Sequence, residues 1–428
     1  MKVLHINQSD SAGGAALAAM RLLDALRAYG TDAGMLVLNA HSRHPAVTGL
    51  VRTGKQKMIR NLKFFAEVFS YIPYEKDSSQ RFTFSSGRFG YDISRHPLVK
   101  DADILHLHWV NQGLLSLKGL DRLIRLGKPV VWTLHDTWPF TGGCHYPGAC
   151  SGFTATCGQC PLLRSPGEKD LSARQHKLKE SIYERTTMSF VGCSEWMRQM
   201  AEKSTLVRKD LKHSVQKVFN TVDMDLFAPS SDRDGVKREL GLPQNKKLIL
   251  FGAANTADPR KGTDLLLRAF RNLHLSHPQL NGQLELMAFG KNIDAYSDKV
   301  PFPIHSFHVV SSGEKMAKLY QAADIFVLPS MQDNLPNTVV ESLSCGTPVV
   351  AFRTGGVPEM VIHEMTGFLA EPGKWRELGA GIRTLLNYGD GFRENARNFA
   401  LEHFAPEKVA SRYQSIYQSL LSGENGKL

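Results

Sequence analysis

Short, β-rich apolar runs alternate with longer polar or amphipathic segments along most of this chain. The first series of runs comprises Val3–Ile6, Met35–Leu38, Ile104–Leu107, Val130–Leu134 and Ser189–Val191. The second series comprises Lys247–Phe251, Leu284–Phe289, Ile325–Leu328 and Val349–Phe352. Helix-like patterns such as Thr263–Leu273 lie between successive runs. Because strands that alternate with helices pair in parallel and are covered on both faces, this order predicts an α/β protein with two doubly wound, Rossmann-like domains.

The segment 225–247 separates the two series of runs. It is rich in Pro, Ser, Asp and charged residues, so we read it as the linker between the domains. The sequence therefore predicts one domain over 1–228, a second over 229–405, and a helix over 406–428 that starts at Pro406. A chain of 428 residues with 42% hydrophobic content is long enough to bury a core in each domain.

One loop-to-helix junction carries two carboxylates, Asp333 and Glu341, which lie eight positions apart. A helix that begins between them has N–H groups near Asn337 and Thr338 without partners inside the helix. These groups and the helix dipole together favour an anion such as a phosphate. Glu341, one turn further in, could accept hydrogen bonds from a ribose diol. The junction therefore predicts a nucleotide site.

The same junction has a simpler interpretation. Pro336 suits the first turn of a helix, since its φ is fixed and it has no N–H to lose, and Asn334 or Asp333 is available as the cap before it. In that interpretation the segment is an ordinary helix–strand unit, Asp333 is only a cap, and Glu341 is a solvated side chain.

Three further positions offer contacts to a substrate. Gly13 and Gly14 follow the first strand and enter a helix, where the backbone could approach a phosphate or an acceptor closely. Arg260 and Lys261 precede a Leu-rich helix, and each could donate a charge-assisted hydrogen bond of ~1.5–3 kcal/mol to a phosphate. His135 ends an apolar strand. Each position also has a simpler interpretation. Gly13 and Gly14 could form a tight turn in which glycine is needed for packing, Arg260 and Lys261 could be an ordinary surface pair of cations, and His135 could be a structural histidine.

The run QDNLPNTVVESLSCGTPVVAF (332–352) resembles the Glu-x7-Glu signature of the family 4 retaining glycosyltransferases, with Asp333 at the first Glu position and Glu341 at the second. The runs LYQAADIFVLPS (319–330) and GGVPEMVIHEMTGFL (355–369) are similar to the same family. The resemblance implies the GT-B fold, in which two Rossmann-like domains face each other across a cleft and the C-terminal helix crosses back to the first domain. It also implies transfer of a sugar from a nucleoside diphosphate sugar to a growing glycan, with retention at the anomeric carbon.

The resemblance also assigns roles to residues. It implies that His135 and Asp333 are catalytic and contact the donor sugar. The donor-binding residues that it implies are Gly13, Gly14, Arg260, Lys261, Asn337, Thr338 and Glu341. Two departures stand out. Asp333 is shorter than Glu by a methylene, and Ala253 follows Gly252 where the family usually has an Arg, which makes Arg260 the candidate for the missing charge.

Four cysteines follow His135 within a span of seventeen residues, namely Cys144, Cys150, Cys157 and Cys160, and the last two form a Cys-x2-Cys step. Because a reducing compartment disfavours disulfides, this spacing predicts a structural zinc ion held by four thiolates, with His145 as a substitute ligand. In the alternatives, the four cysteines are reduced thiols that serve only in packing, or they form disulfides. The order HD, TG, C and CxxCP resembles bacterial exopolysaccharide transferases of the colanic-acid type, which implies a role in building a surface polysaccharide.

The net charge of +11 and the pI of about 9.3 are compatible with nucleic acid, an anionic membrane or anionic small substrates. No zinc-finger, homeodomain or RNP-like pattern is present, so we expect no nucleic-acid partner. In the segment 54–74, one helix face carries an apolar stripe, and basic residues surround its first half. The stripe comprises Met58, Leu62, Phe65, Phe69 and Ile72, and the basic residues are Lys55, Lys57, Arg60 and Lys63. It could lie on an anionic membrane or pack on its own protein.

The N-terminus lacks the apolar run of a signal peptide, and no stretch reaches the ~18 apolar residues of a membrane span, so we expect a cytoplasmic protein with peripheral contact on the inner face of the cell membrane. The resemblance implies a glycan acceptor tethered to a lipid diphosphate. No Asp-x-Asp lies near the motifs, so we expect catalysis without a metal. The alternatives are a sugar-nucleotide epimerase or hydrolase of the same fold, and a zinc-containing polyanion-binding protein.

Overall fold

The computed structural model describes residues 1–208, 210 and 213–423 of the chain. The chain forms two compact units, the first made of Met1–Phe219 and Val409–Leu428 and the second of Asn220–Lys408. The boundaries expected from the sequence, after residues 228 and 405, both lie inside the second unit. Residues 424–428, the end of the predicted C-terminal helix, lie outside the described residues.

The segment 225–247, interpreted from its composition as a linker, is part of the second unit. It contains a helix, Arg233–Glu239, and the Arg233 guanidinium lies 3.1 Å from a carboxylate oxygen of Asp324. Just before it, Phe227 is buried and its carbonyl accepts a hydrogen bond of 2.9 Å from Arg397. These contacts explain why the unit begins earlier than the composition suggests.

The first unit contains a seven-stranded sheet in which every pair is parallel. Its strands are β1 (Lys2–Ser9), β2 (Asp32–Asn39), β3 (Val47–Gly49), β4 (Ile104–Leu107), β5 (Val130–Leu134), β6 (Met188–Gly192) and β7 (Ser214–Lys217). The order across the sheet is β3-β2-β1-β4-β5-β6-β7. All five strands predicted for this half are confirmed. The two edge strands, β3 and β7, were missed because they are short, only half-buried and partly polar.

In the part of the first unit that the structure describes, six α-helices connect these strands. They are α1 (Gly14–Ala28), α2 (Gly54–Tyr71), α3 (Pro97–Asp101), α4 (Leu117–Ile124), α5 (Leu171–Tyr183) and α6 (Glu195–Glu202).

The second unit contains a six-stranded parallel sheet. Its strands are β8 (Lys247–Asn255), β9 (Leu284–Lys291), β10 (Ile304–Ser306), β11 (Ile325–Leu328), β12 (Val349–Phe352) and β13 (Gly367–Ala370). The order across the sheet is β10-β9-β8-β11-β12-β13. Its helices are α7 (Arg233–Glu239), α8 (Thr263–Ser276), α9 (Gly313–Ala322), α10 (Asn337–Ser344) and α11 (Trp375–His403). The four predicted strands are confirmed, whereas the edge strands β10 and β13 were not predicted.

In each sheet the strand order reverses once, between β1 and β4 in the first unit and between β8 and β11 in the second. Ligands of doubly wound sheets bind outside the carboxyl ends of the strands at such a reversal. The topology therefore marks two places where functional side chains should gather.

The C-terminal helix α12 (Pro406–Ser422) covers one face of the first sheet. Its buried tyrosines bond to that sheet, because the Tyr417 hydroxyl lies 2.7 Å from Nδ1 of His106 and the Tyr413 hydroxyl lies 2.9 Å from Oγ1 of Thr133. Apart from its first three residues, α12 therefore belongs to the first unit.

Helix α2 turns the predicted apolar stripe outward. Met58, Leu62, Phe65 and Phe69 are 58%, 61%, 49% and 60% exposed. The opposite face is anchored by the buried carboxylate of Glu67. This carboxylate accepts hydrogen bonds from the Ser86 hydroxyl and from the backbone amides of residues 87–89. The alternative in which these four side chains pack on the rest of the chain is therefore wrong. Within the described residues, no helix has the length and apolar character that a membrane span requires.

Candidate donor site and histidine cluster

The turn after β8 carries the two predicted phosphate-binding cations. It is a 3₁₀ turn, Pro259–Lys261, joined to α8 by Gly262. Gly262 has a φ of 65°, and a Cβ at this position would lie 1.9 Å from the carbonyl oxygen of Pro329. Only glycine fits both conditions. The turn therefore packs directly against the segment that follows β11, the neighbouring strand across the reversal.

This packing joins Lys261 to Asp333. The Lys261 Nζ lies 2.6 Å from Oδ2 of Asp333, and Asp333 is buried. Arg260 is paired as well, since its Nη2 lies 2.7 Å from Oδ2 of Asp258. Both cations proposed to bind a diphosphate thus face a carboxylate in the structure, and an incoming phosphate has to share them.

The helix start near Asp333 differs by one position from the expectation. Pro336 occupies the cap position of α10 and not its first turn, and no side chain caps the helix. The Pro336 carbonyl is the first acceptor, bonded by the amides of Val339 at 3.0 Å and Val340 at 3.4 Å. Asn337 and Thr338 therefore contribute the first two amides of α10, which have no carbonyl four residues back within the helix.

Glu341 lies one turn into α10 and is 5% exposed, so the alternative of a solvated side chain is wrong. The buried hydroxyl of Tyr320 donates to its Oε2 at 3.1 Å. Tyr320, on α9, holds the orientation of this carboxylate. Nothing in the sequence near Glu341 pointed to it, because the two residues come from different helices.

In the first unit, the glycine turn after β1 forms the start of α1. Gly13 is the cap residue with a φ of 88°, and Gly14 is the first helical residue. A Cβ on Gly13 would meet nothing within 4 Å, so glycine is required here by the backbone conformation and not by crowding. The Ser9 hydroxyl accepts from the amides of Ser11 and Ala12, both at 3.2 Å, and so fixes the loop.

The predicted residue His135 belongs to a cluster of four histidines at the reversal of the first sheet. His5 lies on β1 and pairs in register with His106 on β4, His108 follows β4, and His135 follows β5. His5 Nδ1 lies 2.9 Å from His108 Nε2, and His108 Nδ1 lies 3.0 Å from His135 Nε2. These bonds form one chain of three rings.

His106 lies beside this chain without joining it. Its two ring nitrogens are bonded to Tyr417 at 2.7 Å and to Thr133 at 2.8 Å. Ring nitrogens of His5, His106 and His108 lie within 4.8 Å of one another, a spacing that could hold a metal ion. Because both nitrogens of His106 are already used, we interpret the group as a hydrogen-bonded cluster.

Burial lowers the pKa of every histidine in this cluster. It lowers the pKa of His5 to about 3 and that of His135 to about 4. The nearby carboxylate of Asp136 raises the pKa of His135, but burial has the larger effect. The pKa values of His106 and His108 are lowered well below the usual range by burial and by the neighbouring histidines. All four rings are therefore neutral at pH 7.

Asp136 orients His145 and caps the turn after β5. Its Oδ2 lies 2.6 Å from Nδ1 of His145 and accepts from Nε1 of Trp109 at 2.7 Å, while its Oδ1 accepts from the amide of Trp138. The other ring nitrogen of His145 lies 2.8 Å from the Ser85 hydroxyl. Both ring nitrogens of His145, the predicted substitute metal ligand, are therefore engaged in hydrogen bonds.

The four clustered cysteines line one cavity of about 20 Å³. In the described part of the chain, which includes all six cysteines, none forms a disulfide. Amides donate to two of the sulfurs, Gly142 to Cys157 at 3.2 Å and Gly152 to Cys150 at 3.4 Å. No three of the four sulfurs lie mutually within 4.8 Å. The thiols therefore share a cavity but are more widely spaced than in a closed zinc site, where sulfurs are roughly 3.8 Å apart.

A buried lysine lies next to these thiols. Lys179 is 0% exposed, and burial lowers its pKa to about 7, against the electrostatic effect of Cys144 and Cys157. Its ammonium donates to the carbonyls of Trp138 and Thr141 and lies 3.6 Å from the centre of the Trp138 ring. No carboxylate forms an ion pair with it among the described residues. Sequence reasoning missed Lys179, although a lysine in a helix directly after a cysteine cluster is a signal that could have found it.

Known proteins resemble this chain over much of its length. The family model for glycosyl transferases group 1 matches residues 232–402. The chain is 31% identical, over 362 residues, to D-inositol 3-phosphate glycosyltransferase 1 of Catenulispora acidiphila, an alignment that covers 80% of this chain and 77% of that protein.

Two solved structures are similar over nearly the whole chain. The sucrose-phosphate synthase of Thermosynechococcus elongatus is 19% identical with a TM-score of 0.68, and the similarity covers 99% of this chain and 100% of that one. Anabaena HepE in complex with UDP-glucose is 18% identical with a TM-score of 0.63, over 98% and 100% of the two chains. These likenesses show the GT-B fold. The 31% identical relative, together with the family model, shows that this chain belongs to the group 1 glycosyl transferases.

Proposed function

We propose that this glycosyltransferase moves a sugar from a nucleoside diphosphate sugar to a growing glycan, with retention at the anomeric carbon. The observation that carries the proposal is the convergence of the Lys261–Asp333 pair, the first amides of α10 and the buried carboxylate of Glu341. A nucleoside diphosphate offers a diphosphate to the cations and amides and a ribose diol to the carboxylate. The similar Anabaena protein was solved with UDP-glucose, which supports a donor of this class.

In this proposal the diphosphate lies between Lys261, Arg260 and the start of α10. Each cation has a carboxylate partner, 2.6 Å and 2.7 Å away respectively, which holds its side chain near the site. When a phosphate arrives, each cation turns part of its hydrogen bonding toward it. Asp333 is then left free to accept a hydrogen bond from the donor sugar.

Transfer with retention needs no separate base on the protein. The bond between the anomeric carbon and the diphosphate oxygen breaks, the acceptor oxygen forms its bond to that carbon on the same face, and the departing diphosphate takes the acceptor's proton. Lys261, Arg260 and the α10 amides stabilise the charge that develops on the leaving diphosphate. We therefore propose that catalysis requires no metal ion.

Product analysis tests this proposal. The protein is incubated with UDP-, GDP-, TDP- and ADP-sugars, with and without a lipid-linked acceptor, and the product is examined by proton NMR. We expect one donor to be consumed only with acceptor, with the donor's anomeric configuration in the product, and with EDTA leaving the rate unchanged. Free sugar formed without acceptor would indicate a hydrolase, and an altered sugar would indicate an epimerase. An inverted linkage would contradict retention.

The acceptor, in this proposal, is a lipid-linked oligosaccharide of a surface polysaccharide, and the enzyme works at the cytoplasmic face of the membrane. The support is the exposed stripe of α2, in which four large apolar side chains are each about half exposed or more. Lys55 and Lys57 are exposed at the start of the same helix. An amphipathic helix that combines apolar and basic side chains binds the interface of anionic lipids.

We also propose that Cys144, Cys150, Cys157 and Cys160 bind a structural zinc ion. Their shared cavity supports this, and so does the buried Lys179, since its ammonium form would offset part of the double negative charge of a zinc tetrathiolate. Side-chain rotations would have to bring the sulfurs together. Four protein ligands leave no place for a water, so the ion would organise the loop after His135 and take no part in the chemistry.

A further inference from the structure

The chain of three histidines links their protonation states. His5, His108 and His135 are connected by two ring-to-ring hydrogen bonds of 2.9 Å and 3.0 Å. A neutral imidazole has one N–H donor and one acceptor nitrogen. Each bond needs a donor on one ring and an acceptor on the other, so the position of the proton on one ring determines its position on the next.

Only two arrangements satisfy both bonds. In the first, all three protons are on Nδ1, so that His5 donates to His108 and His108 donates to His135. In the second, all three protons are on Nε2 and the direction of both bonds is reversed. Any mixture leaves two N–H groups, or two lone pairs, facing each other across one of the bonds.

The two arrangements differ at His5, the buried end of this row of three histidine rings. His5 is 0% exposed and its Nε2 has no hydrogen-bond partner. In the second arrangement this nitrogen would carry a buried N–H without an acceptor, whereas in the first it carries only a lone pair. Buried N–H groups without acceptors are rarer in proteins than unsatisfied acceptors. His106 cannot serve as the acceptor, because both of its ring nitrogens are engaged.

We propose that His5 and His108 are positioning residues that hold His135 as its Nδ1–H tautomer, so that His135 acts as a hydrogen-bond donor to the substrate and not as a general base. The inference rests on the proposed function and on the substrate contact that the family resemblance implies for His135. In the structure the Nδ1 of His135 lies 4.0 Å from the Cys193 sulfur. A thiol sulfur is a weak acceptor, and a substrate oxygen is a stronger one.

The wider surroundings keep this tautomer in place. His106 stacks on His108 with ring centres 4.3 Å apart, and Tyr413 and Tyr417 close the cluster from α12. Asp136, the nearest carboxylate in sequence, accepts from Trp109, Trp138 and His145. His135 is therefore oriented by another histidine, in contrast to the usual arrangement in which a carboxylate orients a catalytic imidazole.

The direct test is the tautomer itself, measured at pH 7 without substrate by two-bond ¹H–¹⁵N correlations on protein with ¹⁵N-labelled histidine. The His135 signals are assigned by their absence in His135→Gln. We expect the wild-type protein to show His135 with its proton on Nδ1. A proton on Nε2 would overturn the proposal. This measurement does not depend on activity, so it separates the tautomer from the proposed function, which loss of activity in His135→Ala tests on its own.

Two variants of His5 test the connection between the inner ring and His135. His5→Phe keeps a ring of similar size but removes the donor to His108, whereas His5→Asn keeps an N–H near the position of Nδ1. We expect His5→Phe to give mixed tautomers at His135 and a kcat about 10-fold lower with little change in KM, as for the loss of one hydrogen bond, and His5→Asn to restore both. Equal losses in both variants with an unchanged His135 tautomer would show a merely structural role and overturn the proposal.

Discussion

Lys261 and Asp333 form an ion pair of 2.6 Å across the strand-order reversal of the second sheet, although they lie on loops that follow different strands. The pair combines a cation predicted to bind phosphate with a carboxylate predicted to contact the sugar. Each therefore holds the other in place. In the proposed function, the diphosphate of the donor competes with the Asp333 carboxylate for Lys261.

This competition predicts opposite effects on binding and on rate in Asp333→Asn. Removing the carboxylate charge frees Lys261, so we expect the nucleoside diphosphate to bind a few-fold more tightly. Since the sugar contact is weakened, we expect kcat to fall by about 100-fold. Calorimetry and initial rates measure the two effects. Asp258→Asn, which frees Arg260 in the same way, is the control that should leave kcat much closer to wild type. Weaker diphosphate binding in Asp333→Asn would contradict the competition.

The buried histidines predict a loss of stability in acid. The pKa of His5 is about 3 in the folded protein, whereas it is 6.5 in the unfolded chain. Below pH 6.5 the unfolded chain therefore binds a proton that the folded chain does not. Stability due to this residue is present above pH 6.5 and is lost as the pH falls toward 3. At pH 5 the loss is about 2 kcal/mol.

Denaturant unfolding of wild type and His5→Phe between pH 5 and pH 8 measures this difference. The replacement changes packing at every pH, so only the pH dependence is informative. As the pH falls, we expect the unfolding free energy of wild type to decrease more than that of His5→Phe. Parallel curves for the two proteins would show that His5 does not take up a proton on unfolding.

The cysteine cluster predicts one zinc ion in protein purified without a histidine tag. Elemental analysis should find it in wild type and find much less in Cys157→Ser and Cys160→Ser, with lower thermal stability. Cys345→Ser is the matched control, because Cys345 is a buried thiol outside the cluster. Lys179→Met should weaken zinc retention by removing the compensating charge. Zinc near zero in wild type, with freely titrating thiols, would show that the cluster consists of packing thiols only.

The exposed face of α2 predicts binding to anionic lipid. In sedimentation with vesicles, wild type should bind mixed phosphatidylglycerol and phosphatidylcholine vesicles and bind pure phosphatidylcholine much less. The double variant Leu62→Glu with Phe69→Glu should lose this binding, since both side chains are about 60% exposed. Leu275→Glu is the control, because Leu275 is 77% exposed on α8. Loss in the control as well, or equal binding to neutral vesicles, would contradict a specific membrane face.

The sequence predicted the central strands of both sheets because they are largely buried and therefore read as mainly apolar runs. It missed β3, β7, β10 and β13, which lie at the sheet edges. Residues 225–247 were misread because Pro, Ser and charge describe a surface segment equally well whether it is folded or not. In this chain the segment is held by Arg233 and by the burial of Phe227.

At the candidate site, the sequence identified single residues but not their partners. Asp333 and Lys261 were predicted separately, and nothing in their spacing showed that they touch. His135 was predicted alone, although His5, His106 and His108 lie on neighbouring strands and complete its cluster. Such partners come from distant parts of the chain, so they become visible only once strand order and register are known. The pattern of His106 and His108 at alternate positions, ending a strand, was the one local signal.

The central claim is that the second unit binds the donor through a diphosphate contact at Lys261 and a ribose contact at Glu341. Calorimetric titration with the selected nucleoside diphosphate and with its free nucleoside tests this most directly, using Lys261→Ala, Glu341→Ala and, as control, Arg268→Ala on the exposed face of α8. We predict that Lys261→Ala weakens the diphosphate much more than the nucleoside, that Glu341→Ala weakens both, and that Arg268→Ala changes neither. Equal losses for the two ligands in both site variants would indicate a damaged fold and contradict the assignment.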